Sequence, residues 1–217
     1  MQIRRVVLTV ERLDEAARYY RDVLELPVVR SGDEAAVEVG RSLLVLRAGP
    51  AHQGVHHVAF GIAPAAFEAS HDRLRDRVEL LTAGGSPVIE GPAGWDSRSL
   101  YFLGPEGIVL EHIAREADRD QPPGPPSCIS EVGLAVPDVP AAVARLGEQL
   151  GLPPFPPQGA QFAPVGGHDG LLIVVQQDRT WFPTDGLRAP RGPVGVVVAG
   201  PRSAVIALTL QATVRSG

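Results

Sequence analysis

The stretch HVAFGIAPAAFEASHDRLRDRVELL, residues 57–81, decides the fold. It opens by alternation: Val58, Phe60 and Ile62 share one side of a strand, His57, Ala59 and Gly61 the other. A short turn follows at Ala63-Pro64, where proline suits the first turn of a helix, and then a helical run. The same order recurs in RVVLTVERLDEAARYYRDVLELPVV, residues 5–29, and in EVGLAVPDVPAAVARLGEQLGLPPF, residues 131–155. Leu13, Ala16, Ala17, Tyr20 and Leu24 form one helical stripe, and Val139, Val143, Leu146 and Leu150 another. The strand faces also agree. Val6, Leu8 and Val10 oppose Arg5, Val7 and Thr9; Val132, Leu134 and Val136 oppose Glu131, Gly133 and Ala135. The larger apolar face is expected to pack on the helix and the other to line a hollow.

Short strands should follow each helix: 26–30, 35–39 and 42–47 in the first unit, 87–90, 100–103 and 108–114 in the second, 160–165 and 171–176 in the third. The repeating unit is therefore strand, helix, three strands (βαβββ). A fourth copy starts at PVGVVVAGP, residues 193–201, without a comparable helix. Residues 116–127, charged and then rich in Pro and Gly, read as a linker. The predicted organisation is an α+β protein with a two-unit domain over 1–115, the linker, and an incomplete second domain over 128–217. Two units pair into a cup in this scheme. The incomplete partner would leave sheet edge exposed, to be covered by the first domain or by a second copy of the chain as a homodimer.

Bulk properties narrow the function classes. The 217 residues are 44% hydrophobic with a net charge of −5, which disfavours non-specific nucleic-acid binding. The single cysteine, Cys128, excludes an intrachain disulfide framework and a cysteine-rich zinc site. The N-terminus turns charged before a signal-peptide core forms, and no apolar run approaches the ~18 residues of a membrane helix. A cytoplasmic location is expected.

Three segments carry a family resemblance: LTVERLDEAARYYRDVLELPVV, HHVAF, and SRSLYFLGPEGIVLEHIAR. They resemble the vicinal oxygen chelate superfamily, which includes glyoxalase I, bleomycin-resistance proteins and extradiol dioxygenases. The last segment is similar to the family's strand–turn–strand pattern YF-x-x-P-[DE]-G-x-x-x-E. GLLIVVQQDRTWFPT resembles a second-domain strand of dioxygenase-like members. The resemblance implies a metal site fed by the first and last strand of each paired unit. Carried over residue by residue, those positions are Arg5, the segment SLLVL (which offers no ligand atom), His57 and Glu111.

His57 is thus either a ligand for Fe, Mn, Zn or Ni or a cavity-lining histidine. Glu111 is a ligand, a general base, or half of a salt bridge. Arg5 suits an anionic or carbonyl-bearing ligand. Trp95 and Tyr101 are candidate substrate contacts, whose plainer roles are loop and core. Glu131 heads the third unit with no facing ligands in this scheme. His56 and His112 point to the opposite face. Two functions follow: a metal-dependent dioxygenase or glyoxalase-type lyase acting on a small molecule with vicinal oxygens, or a metal-free binding or antibiotic-resistance protein.

Overall fold

A computed structural model describes all residues, 1–217. The first unit comprises β1 (Gln2–Val10), α1 (Leu13–Arg18), β2 (Val28–Ser31), β3 (Glu34–Val39) and β4 (Ser42–Ala48). The second comprises β5 (His57–Ile62), α2 (Phe67–Arg75), the short β6 (Leu80–Leu81) and β7 (Ile89–Glu90), β8 (Ser97–Leu103) and β9 (Val109–Arg115). The third comprises β10 (Cys128–Val136), α3 (Val139–Leu150), β11 (Phe162–Gly167) and β12 (Gly170–Gln176). Strands β13 (Val194–Ala199), β14 (Ala204–Ala207) and β15 (Ala212–Ser216) form the helix-less fourth copy.

Local chemistry explains the helix ends. Asp138 caps α3 by accepting from the Ala141 N–H, with proline in the first turn, and Gly151 closes it at φ +70°, a left-handed conformation that glycine adopts without Cβ strain. The predicted large-residue faces of β1, β5 and β10 all enter one core of 45 buried residues, together with α1, α2 and α3. That core contains residues from both sides of 116–127.

The pairing of units differs from the expected one. The strands form two sheets, ordered β14-β15-β13-β1-β4-β3-β2 and β11-β12-β10-β5-β9-β8-β6, with β7 on β8. Unit one therefore joins the fourth copy through β1–β13, and unit two joins unit three through β5–β10, both antiparallel. The cup expected within residues 1–115 is built across the linker instead. Each unit's first strand has a free edge, and the same alternation satisfies either partner. Which edges meet is therefore not encoded locally. The pairing covers the β10 edge of the third unit within one chain, whereas β11 stays a terminal strand of its sheet.

No helix is long and apolar enough to cross a membrane.

Candidate metal and ligand site

The concave face of the eight-stranded sheet carries the site. Glu111 lies beside Ala59 in the parallel β5–β9 ladder, and Glu131 lies beside Ala59 in the antiparallel β5–β10 ladder. His57, two residues before Ala59, projects from the same face. The small Ala59 side chain leaves the space into which the two flanking carboxylates turn. His57 Nε2 stands 3.5 Å from Glu111 Oε2 and 3.9 Å from Glu131 Oε2. All three residues are buried, and their ligand atoms lie within 4.8 Å of one another.

Glu131, which has no facing ligands in a cup confined to residues 1–115, joins the candidate site. It already headed the cavity face of its strand; only the β5–β10 pairing was missing. The fourth corresponding strand, β12, presents Leu171 and Ile173, which carry no ligand atom.

The donor chemistry fits a divalent cation. His57 Nδ1 is 3.2 Å from the Val109 carbonyl. Donating its proton there leaves the Nε2 lone pair facing the carboxylates, the arrangement of a metal-ligating histidine. Glu111 Oε2 is buried with no hydrogen-bond partner, an orphan that an ion would satisfy. Donors about 2.1 Å from one ion stand about 3 Å apart at right angles and about 4.2 Å apart when opposed. The 3.5 and 3.9 Å separations fall inside that span.

Electrostatics without an ion favours protons here. Burial, then the Glu131 charge, pushes the Glu111 carboxyl up to about 7. Burial alone would lower His57, but its bond to Glu131 and the charges of Glu111 and Glu131 outweigh that and raise it. Arg115, four residues beyond Glu111 on the same strand face, donates to Glu131 Oε1, and both are buried. Its guanidinium also lies 5.2 Å from the Trp95 ring centroid.

Around this cluster is a cavity of about 390 Å³. Its walls include the expected Trp95 and Tyr101, and also Phe162, Trp181, Phe182 and Arg179. Tyr101 lies opposite Glu111 on β8, its ring 6.3 Å from His57 at 26°. Burial and the two carboxylates raise its hydroxyl well above the ordinary range, so it remains a proton-bearing donor. Trp95 Nε1 donates to the Pro156 carbonyl at 2.7 Å, and Trp181 Nε1 to the Val55 carbonyl at 2.7 Å. The WFPT segment thus forms a wall of the cavity.

A Cβ at Gly133 would stand 2.5 Å from Trp181 Cη2. Since Trp181 is buried and tethered, Gly133→Ala is expected to cost about 1–3 kcal/mol by overpacking, read in urea unfolding. An unchanged midpoint would mean that the tryptophan relaxes freely.

Arg5 does not join the site. It sits exposed on β1, paired with Leu43 and Val197 in the other sheet, because β1 meets β13 rather than β5. SLLVL, on β4, goes with it. His112 faces α2, with Ser70 Oγ 2.7 Å from its Nδ1. Burial pushes it down to about 4. His56 is buried on the opposite side from His57, its ring 4.9 Å from that of His52, and burial pushes it down to about 3.

Comparison with known proteins agrees with this architecture. The family described as Glyoxalase/Bleomycin resistance protein/Dioxygenase superfamily matches residues 2–149. A candidate dioxygenase from Bacillus subtilis superposes with a TM-score of 0.59 at 17% identity, covering 92% of this chain and 70% of its own. A mutant glyoxalase I from Zea mays gives 0.58 at 16%, covering 90% and 74%. At these identities the likeness concerns the fold alone. No curated protein matches in sequence.

Proposed function

The chain belongs to the Glyoxalase/Bleomycin resistance protein/Dioxygenase superfamily, and from that premise we propose that it is a divalent-metal-dependent enzyme acting on a small molecule with adjacent oxygen atoms. One observation carries this reading: His57 Nε2 faces Glu111 and Glu131 while Glu111 Oε2 has no hydrogen-bond partner. His57, Glu111 and Glu131 would hold the ion, with Fe(II), Mn(II), Zn(II) or Ni(II) as candidates. When bound, the ion supplies Lewis acidity toward the substrate's paired oxygens.

The chain's own residues supply the rest. Arg115 holds Glu131 in place and offsets its charge. Val109 fixes the orientation of the His57 ring. Tyr101 offers a phenolic proton beside Glu111, and the tryptophans and Phe162 exclude water from the substrate's apolar part. Glu111, opposite Tyr101 in the β8–β9 ladder and on the cavity wall, is the carboxylate positioned for proton transfer. Extradiol-type oxidation and glyoxalase-type isomerisation both suit this arrangement; oxygen uptake distinguishes them. All the site residues come from one chain, so a homodimer is not required to complete the site.

Protein purified without chelators, or loaded anaerobically with Fe(II) or Mn(II), is expected to hold one equivalent of metal by elemental analysis. His57→Ala, Glu111→Ala and Glu131→Ala should each lose it. No metal in the wild type, or equal metal in the variants, would transfer the chain to the competing reading, a metal-free binding or resistance protein.

A further inference from the structure

The cavity wall also holds a charge that no carboxylate of the protein pairs with. Arg179 lines the cavity just beyond the end of β12, its guanidinium 5.3 Å from the Phe162 ring centroid. Phe162 begins β11, three strands away from β5 in the sheet order. Arg179 is half-buried, and its hydrogen bond goes to the neighbouring Thr180 carbonyl at 3.2 Å. It forms no ion pair, unlike Arg115, which is occupied by Glu131. The other carboxylate on the wall outside the metal cluster, Glu90, is solvent-exposed and does not pair with it.

A partly desolvated guanidinium with most of its five donors unspent is a receptor for a carboxylate or similar anion. The same cavity that holds Arg179 and the His57, Glu111 and Glu131 cluster is walled by the aromatic rings of Trp95, Tyr101, Phe162 and Trp181. Aromatic faces bind planar rings in offset or edge-on contact. Phe182, 55% exposed, extends this surface with its ring 6.2 Å from Tyr101.

We propose that the ligand of this cavity is an aromatic carboxylate: a planar ring whose adjacent oxygens face His57, Glu111 and Glu131 and whose anionic group is received by Arg179. This deepens the metal-enzyme reading and rests on it for the oxygen-bearing end. Arg179 thereby determines specificity; it takes no part in the chemistry.

The chain's two tryptophans both line the cavity, so intrinsic fluorescence reports occupancy. Zn(II)-loaded protein would be titrated with catechol and with protocatechuate, which adds one carboxylate to the same diol. Protocatechuate is expected to bind about tenfold more tightly, as one charge-assisted contact warrants. Arg179→Gln should abolish that preference and leave the catechol affinity unchanged. Equal affinities in the wild type, a preference that survives Arg179→Gln, or no quenching by either compound at millimolar concentration would overturn the proposal. The same titrations in His57→Ala separate the two readings. Loss of affinity for both compounds supports the metal-dependent function, whereas unchanged affinities refute that function while the carboxylate preference still reports on Arg179.

Discussion

Arg115→Met is expected to destabilise the protein by about 3–5 kcal/mol, the usual cost of stripping one partner from a buried ion pair. The residues are 1% and 3% exposed at Arg115 and Glu131. Methionine preserves much of the stem's volume but leaves the Glu131 carboxylate in a dry site. Only His57, 3.9 Å away, would then offer it compensating charge. The Trp95 ring also loses the cation beneath it. Pairing the change with Glu131→Gln should recover much of the loss, because the stranded charge is gone; a double-mutant cycle by urea unfolding measures the coupling. A single-variant cost below about 1 kcal/mol would show that Glu131 does not depend on this guanidinium.

The second large effect is a pH dependence of the metal-free protein. The Glu111 carboxyl is raised from 4.5 to about 7 by burial and by the Glu131 charge. In that window the folded chain keeps a proton that the unfolded chain has released. Stability from this residue is present below about pH 4.5 and is lost as pH rises through about 7. The change is about 3 kcal/mol at ~1.4 kcal/mol per unit of pKa difference. His57, also raised, works in the same direction above its unfolded value. His56 and His112 work oppositely: held neutral by burial, they add stability as pH climbs from acid toward about 6.5.

The total curve therefore mixes signs, and the informative quantity is the difference between wild type and Glu111→Gln. That difference should decline across pH 4.5–7 by about 3 kcal/mol, leaving the variant the more stable protein at pH 8. A flat difference would place Glu111 in contact with water. Metal uptake near neutral pH should correspondingly release protons, measurable by calorimetry in buffers of different ionisation enthalpy.

The cavity-facing placement of two residues of this cluster is legible in the sequence. His57 and Glu111 stood out because a histidine and a glutamate interrupt apolar strands at positions that alternation turns toward the hollow. The helix-facing placement of His112 followed from the same rule, since β9 runs without a bulge through its ladders with β5 and β8. Arg115 and Arg179 were not legible as site residues. One is the last residue of a strand, the other lies in a turn, and neither position announces burial or lack of a partner.

From its sequence alone this protein is a set of βαβββ units with one polar-headed face each, because side-chain alternation and helical periodicity depend only on near neighbours. Which units share a cup was decided in three dimensions. The free edges of β1 and β5 each accept an antiparallel partner, and local pattern does not distinguish β13 from β10. That choice sent Arg5 to an exposed position on the other sheet and brought Glu131 beside His57 and Glu111, turning a pair of candidate ligands into three.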